Sequence, residues 1–396
     1  MKAPKNILVV TYWSFFDALI QTYTLPYLKI IQQQLPPNSK IFLVTLEKEN
    51  YEQIVELTDS TIVLVKFKYT SFGISASLAW VKHIIYLKKL IRKNNISFIH
   101  TFCTPAGMIG YLLSKLTQKP LILDSYEPHA EAMVENGEWK KNSWSYKILF
   151  YFEKKQTQHA QIVIGTTKAM YNYALQKYAV KLNTFFFKPA CVDLDTFNLR
   201  YKKDKKLLAE LDLTDKIVCV YAGKFGGIYL KDEVFAFYKI AYQRWQHNFV
   251  ALILTNHSLD EINALIAKYE LPESMFRICF VPHSQINKYI GLGDFAITPV
   301  KPVNTKKYCT PIKDGEYWAM GLPIVITKNI SVDSAIIENN NIGYVLKALT
   351  TLEYTNATEK IDHLLNDTTI SVRIRKIAEL ERNYTIATKV YKTIYG

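Results

Sequence analysis

The chain has 396 residues, 49% of them hydrophobic, and a formal net charge of +14. That length suits two domains of ordinary size, and no apolar run reaches the roughly 18 residues of a membrane-spanning helix. Cys103, Cys191, Cys219, Cys279 and Cys309 are scattered, odd in number and without a C-x-x-C, so neither a disulfide framework nor a zinc site is supported and a reducing cytoplasm fits. The positive charge leaves three partner classes: nucleic acid, anionic lipid and a phosphorylated substrate. Nucleic acid is the weakest, because no helix-turn-helix, RNP or zinc-finger signature accompanies the charge.

The chain opens on a short apolar run, Asn6–Val10, that meets Trp13, Ser14 and Asp17 without a small-residue cleavage site. It reads as a first strand, not a signal peptide. Further strand candidates follow at Lys40–Thr45, Ser60–Val65, Phe98–Thr101, Leu121–Asp124 and Ile162–Gly165, separated by segments of helical period. That alternation predicts an α/β fold with a doubly wound parallel sheet. Leu78–Lys93 is amphipathic at helical spacing, and its lysines, Trp80 and Tyr86 suit either a membrane surface or a helix packed on a sheet with its basic face in water.

A second series begins at Lys216–Gly223 and continues through Phe249–Leu254, Arg277–Val281, Phe295–Thr298, Pro323–Thr327 and Tyr344–Leu346. Between the two series lie Asp193–Asn198 and the lysine-rich Tyr201–Lys206, a linker by composition. The expected organisation is two Rossmann-like domains, 1–198 and 207–382, facing each other across a cleft, with a last helix over 383–396. Ligands in such sheets bind beyond the carboxyl ends of the strands.

Three strand-end segments carry polar chemistry. In the first half, Asp124, Glu127, His129, Glu131 and Glu135 cluster after one strand, consistent with sugar-hydroxyl recognition, acid–base chemistry or the polar start of a surface helix. Trp13 and Asp17 either help wall the same cleft or, in the case of Trp13, join the core. In the second half, Gly223, Lys224, Gly226 and Gly227 allow a backbone to approach a phosphate while Lys224 supplies charge. This is neither a GxGxxG nor a P-loop.

The densest segment is Thr310–Thr327. Thr310 is expected to N-cap a helix whose first position is Pro311. Gly321 suits the left-handed position after the helix, and Pro323 stops it before the Ile324–Ile326 strand. Lys313 sits in the first turn, where the macrodipole disfavours a cation. It either pairs with Asp314 or Glu316 on a solvated face, or faces an anion held by the free N–H groups of the helix start.

These residues carry a resemblance. The run from Cys309 to Val325 (CTPIKDGEYWAMGLPIV) resembles the C-terminal signature of the retaining family 4 glycosyltransferases, the glycogen-synthase-like group with the GT-B fold. The Gly223–Tyr229 run is similar to that family's glycine-rich element, and the Cys191–Phe197 run to its hinge element, with cysteine in place of glycine. Asp124 and Trp139 resemble a further element in which Tyr126 stands where an arginine is usual.

The resemblance implies a sugar transfer from a nucleoside-diphosphate sugar to an acceptor hydroxyl with retained anomeric configuration, in surface polysaccharide or glycolipid synthesis. It implies that Lys224 and Lys313, with Gly223, Gly226, Thr310, Pro311 and Ile312, hold the donor diphosphate, and that Glu316 binds the ribose. Trp13, Asp17, Asp124, Glu127 and His129 then fall on the acceptor side. No metal or other cofactor is required if two lysines and a helix start carry the charge. The family's first glutamate, eight positions before Glu316, is Tyr308 here, which leaves the donor sugar open. A GT-B epimerase of nucleotide sugars and a non-catalytic nucleotide-sugar binder are the alternatives. The expected location is the cytoplasm, with contact at the inner face of an anionic membrane.

Overall fold

The computed structural model of the chain describes residues 3–48, 59–70 and 74–396, with side chains described from residue 79 onward in the last stretch. It divides into two compact units, Met1–Pro189 with Thr385–Gly396, and Ala190–Tyr384.

The first unit is built on a seven-stranded parallel sheet. Its strands are β1 (Asn6–Val10), β2 (Ile41–Glu47), β3 (Ile62–Lys68), β4 (Ile96–Phe102), β5 (Leu121–Tyr126), β6 (Ile162–Gly165) and β7 (Phe185–Phe187). They lie in the order β3-β2-β1-β4-β5-β6-β7. Helices α1 (Leu25–Gln34), α2 (Ile74–Lys93), α3 (Thr104–Thr117), α4 (His129–Glu135), α5 (Trp144–His159) and α6 (Ala169–Tyr178) make the connections. Every residue of β2 is buried. Helices cover both faces of such a sheet, so its inner strands read as continuous apolar runs.

The second unit carries a six-stranded parallel sheet of β8 (Ile217–Ala222), β9 (Phe249–Leu254), β10 (Phe276–Cys279), β11 (Phe295–Thr298), β12 (Ile324–Thr327) and β13 (Gly343–Leu346). The order is β10-β9-β8-β11-β12-β13. Trp318, Tyr221, Tyr238 and Tyr317 are fully buried in its core, where each large apolar side chain contributes about 1.5–3 kcal/mol.

Two expectations change. The break between units falls at Pro189–Ala190, ahead of the expected Asn198, because 190–198 is tied into the second unit. Val192 N–H donates to Arg382 O at 2.8 Å, and the Arg375 guanidinium donates to the carbonyls of Phe197, Leu194 and Ala319 at 2.5–2.9 Å. Asp193 folds this segment on itself by accepting from the backbone of Asp195 and Thr196 and from the Thr196 hydroxyl. The second change is β7, a three-phenylalanine strand that no sequence period announces. The last helix, Tyr384–Tyr395, contributes nearly all of its length to the first unit. Among the described residues no helix is long and apolar enough to cross a membrane.

Candidate functional site

Each sheet reverses its strand order once, β1 beside β4 in the first unit and β8 beside β11 in the second. A crevice opens beyond the carboxyl ends of the strands at such a reversal. In the second unit the two segments flanking it are the Gly223–Gly227 turn after β8 and the Ile312–Ala319 helix that follows β11.

The helix begins one residue later than expected. Pro311 is the N-cap, in extended conformation, Ile312 is the first helical residue, and no side chain caps the end. Proline's φ suits either position, but here its ψ of 126° keeps it outside the helix. The Thr310 hydroxyl instead lies 3.4 Å from the Ser331 hydroxyl. The first turn of a helix has N–H groups without intrahelical partners, and without a cap they are available to an anion. The other end forms as expected. Leu322 N–H donates to Tyr317 O and Gly321 N–H to Trp318 O, with Gly321 at φ 67°, which is the paired-bond Schellman termination.

Lys313 does not pair on a solvated face. Its ammonium lies 3.8 Å from the centre of the Tyr229 ring and 5.3 Å from that of Tyr221. Burial works against the charged form, but Tyr229, Tyr221 and Glu316 outweigh it and hold the ammonium above the usual lysine range. The same side chain lies against Gly223, where an added Cβ would come within 2.6 Å of Lys313 Cε. A side chain at 223 would displace the tip of the lysine from this position.

Neighbouring bonds fix the turn. Tyr221 hydroxyl donates to Lys224 O at 2.5 Å, and Ala222 N–H donates to the Tyr317 hydroxyl at 2.9 Å. Phe225 N–H donates to His257 Nε2 at 2.9 Å, so the ring proton sits on Nδ1, which donates to Glu261 at 2.6 Å. Lys224 is exposed, and Gly226 and Gly227, both at positive φ, face open space. Glu316 sits on the same helix as Lys313, with a side chain 12% exposed and His283 at 3.9 Å. Lys313, Gly223 and the helix start thus converge on one edge, with Lys224 exposed on the adjoining turn. Sequence reasoning missed His257, whose partner Phe225 is 32 residues away in the chain.

Behind this helix, Asp314 is buried and accepts from the Thr298 hydroxyl at 2.5 Å. Burial and the neighbouring Asp333 raise its carboxyl well above the usual range. Asp333 is paired with the buried Arg382.

In the first unit, Trp13 is half-buried and Asp17 is exposed after β1, where Asp17 accepts from Leu19 N–H at 2.8 Å. Glu47 pins this loop, accepting from Phe15 N–H at 3.0 Å and from the Ser14 hydroxyl. Glu127 and His129 are half-buried at the start of α4.

Asp124 is a correction: it is only 1% exposed and cannot face an acceptor. It accepts from Lys188 Nζ at 3.2 Å, His100 Nε2 at 3.2 Å and the Tyr391 hydroxyl at 2.6 Å. Burial favours its neutral form, but Lys188 and His100 overcome that and hold the carboxyl well below the usual range. With Nε2–H directed at the carboxylate, His100 Nδ1 accepts from Tyr395 at 2.6 Å. Lys188 also lies 3.5 Å from the Tyr27 ring centre. Tyr126 is buried as well, donating to Glu153 O at 3.0 Å. Sequence reasoning passed over Glu153, whose carboxyl is pushed up to about 8 by burial, against the bonds from Ala130 N–H and Tyr178.

No family model and no curated protein matches the chain. Solved structures do, over nearly the whole length. Sucrose-phosphate synthase from Thermosynechococcus elongatus matches with a TM-score of 0.78 at 13% identity, covering 99% of this chain and 98% of that one. WaaG, a glycosyltransferase of lipopolysaccharide biosynthesis, matches at 0.71 and 11% identity, covering 99% and 100%. Anabaena HepE, solved in complex with UDP and glucose, matches at 0.70 and 14% identity, covering 98% of each. The fold of this chain is that of the GT-B glycosyltransferases.

Proposed function

We propose that the protein is a retaining glycosyltransferase of the family 4 type. It moves a sugar from a nucleoside-diphosphate sugar to an acceptor hydroxyl in surface polysaccharide or glycolipid synthesis at the cytoplasmic face of a membrane. The observation that carries the reading is the Lys313 ammonium, held against Gly223 at the strand-order reversal beside an uncapped helix start. That combination suits a diphosphate, and HepE, with the same fold, was solved with UDP.

In the reaction the bond between the sugar's anomeric carbon and the distal phosphate oxygen breaks while a bond to the acceptor oxygen forms on the same face. The acceptor proton passes to the leaving diphosphate. Lys313, Lys224 and the N–H groups at Ile312 and Lys313 stabilise the charge that develops there, which is where catalysis of this kind gains most. Gly223 and Gly226 admit the phosphates, Thr310, Pro311 and Ile312 shape the helix start, and Glu316 accepts from the ribose hydroxyls. Trp13, Asp17, Glu127 and His129 are assigned to the acceptor, and Asp124 to holding the fold. The reading gives no role to a metal.

The test is a thermal-shift panel of nucleoside diphosphates and their sugars. A ligand at 100 times its dissociation constant adds about 2.7 kcal/mol, so one base should raise the melting temperature and Lys313→Ala should cut the shift by about half or more. No response to any nucleotide would remove the reading.

A further inference from the structure

We infer that the α2–α3–α5 face of the first unit is a docking surface for an anionic lipid bilayer. This deepens the membrane part of the proposed function and uses none of its donor-site residues. Between Ser60 and Leu123 the chain has nine Lys and Arg residues and no Asp or Glu. That stretch supplies α2 and α3, which pack side by side, with α5 alongside α3. The α3–α5 contact is fixed by Tyr111 against Phe152 at 6.3 Å and by Ser114 to His159 at 2.8 Å.

The outer surface of this layer is apolar where a soluble face should be polar. On α5, Trp144, Ile148 and Tyr151 fall at i, i+4 and i+7, on one side of the helix, and Trp144 is 78% exposed and Tyr151 55%. Lysines interleave them: Lys147 Nζ lies 5.6 Å from the Trp144 ring and Lys155 Nζ 5.5 Å from the Tyr151 ring. The one carboxyl on α5, Glu153, is buried. On α2, Val81 and Ile85 are exposed one turn apart, with Lys82 and Lys89 beside them.

Aromatic and aliphatic side chains alternating with lysines, and no acidic residue on α2 or α3, match the interface of an anionic bilayer. Rings and alkyl groups enter the headgroup–acyl boundary while ammonium groups meet the phosphates. Each lysine near such a surface favours binding by about fivefold. A nucleic acid would use the charge and the rings, but it offers nothing to Val81, Ile85 and Ile148.

The experiment is sedimentation of the full chain with vesicles of phosphatidylcholine alone or mixed equally with phosphatidylglycerol, at low and high salt. The expected result is partition at least tenfold stronger onto the anionic vesicles, falling with salt. Trp144→Ala with Tyr151→Ala should weaken it about tenfold or more, as should Lys82→Glu with Lys147→Glu. Leu380→Ala, an equally exposed leucine of the second unit, should leave it unchanged. Equal partition onto both vesicles, or wild-type partition by both double variants, would overturn the inference. The nucleotide thermal shift is read on the same variants. A retained shift shows that they fold and that the donor site stands apart from this surface; vesicle binding without any nucleotide shift would remove the donor-site reading alone.

Discussion

Replacing Asp124 by asparagine keeps the shape of the side chain and removes its charge. The substitution takes the Asp124 charge away from the Lys188 ammonium, which has no exposed side-chain surface. It also weakens the bonds from His100 and Tyr391, both wholly buried. Breaking one side of a buried ion pair costs about 3–5 kcal/mol, because the surviving charge stays in a low-dielectric interior. For a unit of this size that is a fall in melting temperature of roughly 6–20 °C. The loss should be local as well as global. Tyr391 and Tyr395 anchor the last helix through Asp124 and His100, so amide exchange in Tyr384–Tyr395 should accelerate with it.

The pH dependence has a definite sign. The folded carboxyl lies below its ordinary value, so its stabilisation is present above an unfolded pKa of about 3.9 and is lost as pH falls through the folded value. The gap between wild type and Asp124→Asn should therefore be flat from pH 8 to 5 and begin to close only below about pH 4. Urea unfolding followed by circular dichroism and amide exchange measures both. A variant within about 1 kcal/mol of wild type at pH 7, with an unchanged last helix, would refute the assignment of Asp124 to the fold.

Two further substitutions test the second unit. Gly321→Ala places a Cβ at φ 67° and 2.7 Å from Ser371 O, which should cost about 2–4 kcal/mol in chemical unfolding. His257→Ala removes the acceptor for Phe225 N–H. Losing that bond costs about 1–3 kcal/mol, so the Phe225 amide should exchange roughly 5–150-fold faster and the melting temperature should fall by about 2–12 °C.

The sheets were legible in the chain because buried parallel strands are continuous apolar runs, and Asn6–Val10, Phe249–Leu254 and Phe295–Thr298 were read to the residue. Phe185–Phe187 escaped because three residues carry no period, and its pairing with β6 is long-range. The Gly321 termination was legible because a left-handed residue followed by proline has few other uses. The helix start was misplaced by one residue, since Thr310 and Pro311 satisfy the same capping rule in two registers. Asp124 misled for a different reason. A carboxylate at a strand end looks like a ligand group until Lys188 and Tyr391 are placed beside it, and Tyr391 lies 267 residues away. Lys313 stands out in the sequence as a cation in a first turn, but only the fold shows what it touches: the Tyr229 ring and Gly223.

The account rests on a diphosphate bound at Lys313. Calorimetric titration of the base selected by the thermal panel, as nucleoside diphosphate and as monophosphate, into wild type and Lys313→Ala tests it most directly. A charge-assisted bond is worth about 1.5–3 kcal/mol. Wild type should then bind the diphosphate at least tenfold more tightly than the monophosphate, and the variant should lose that preference while keeping its affinity for the monophosphate. Equal affinities in wild type, or a diphosphate preference that survives in Lys313→Ala, would contradict the account.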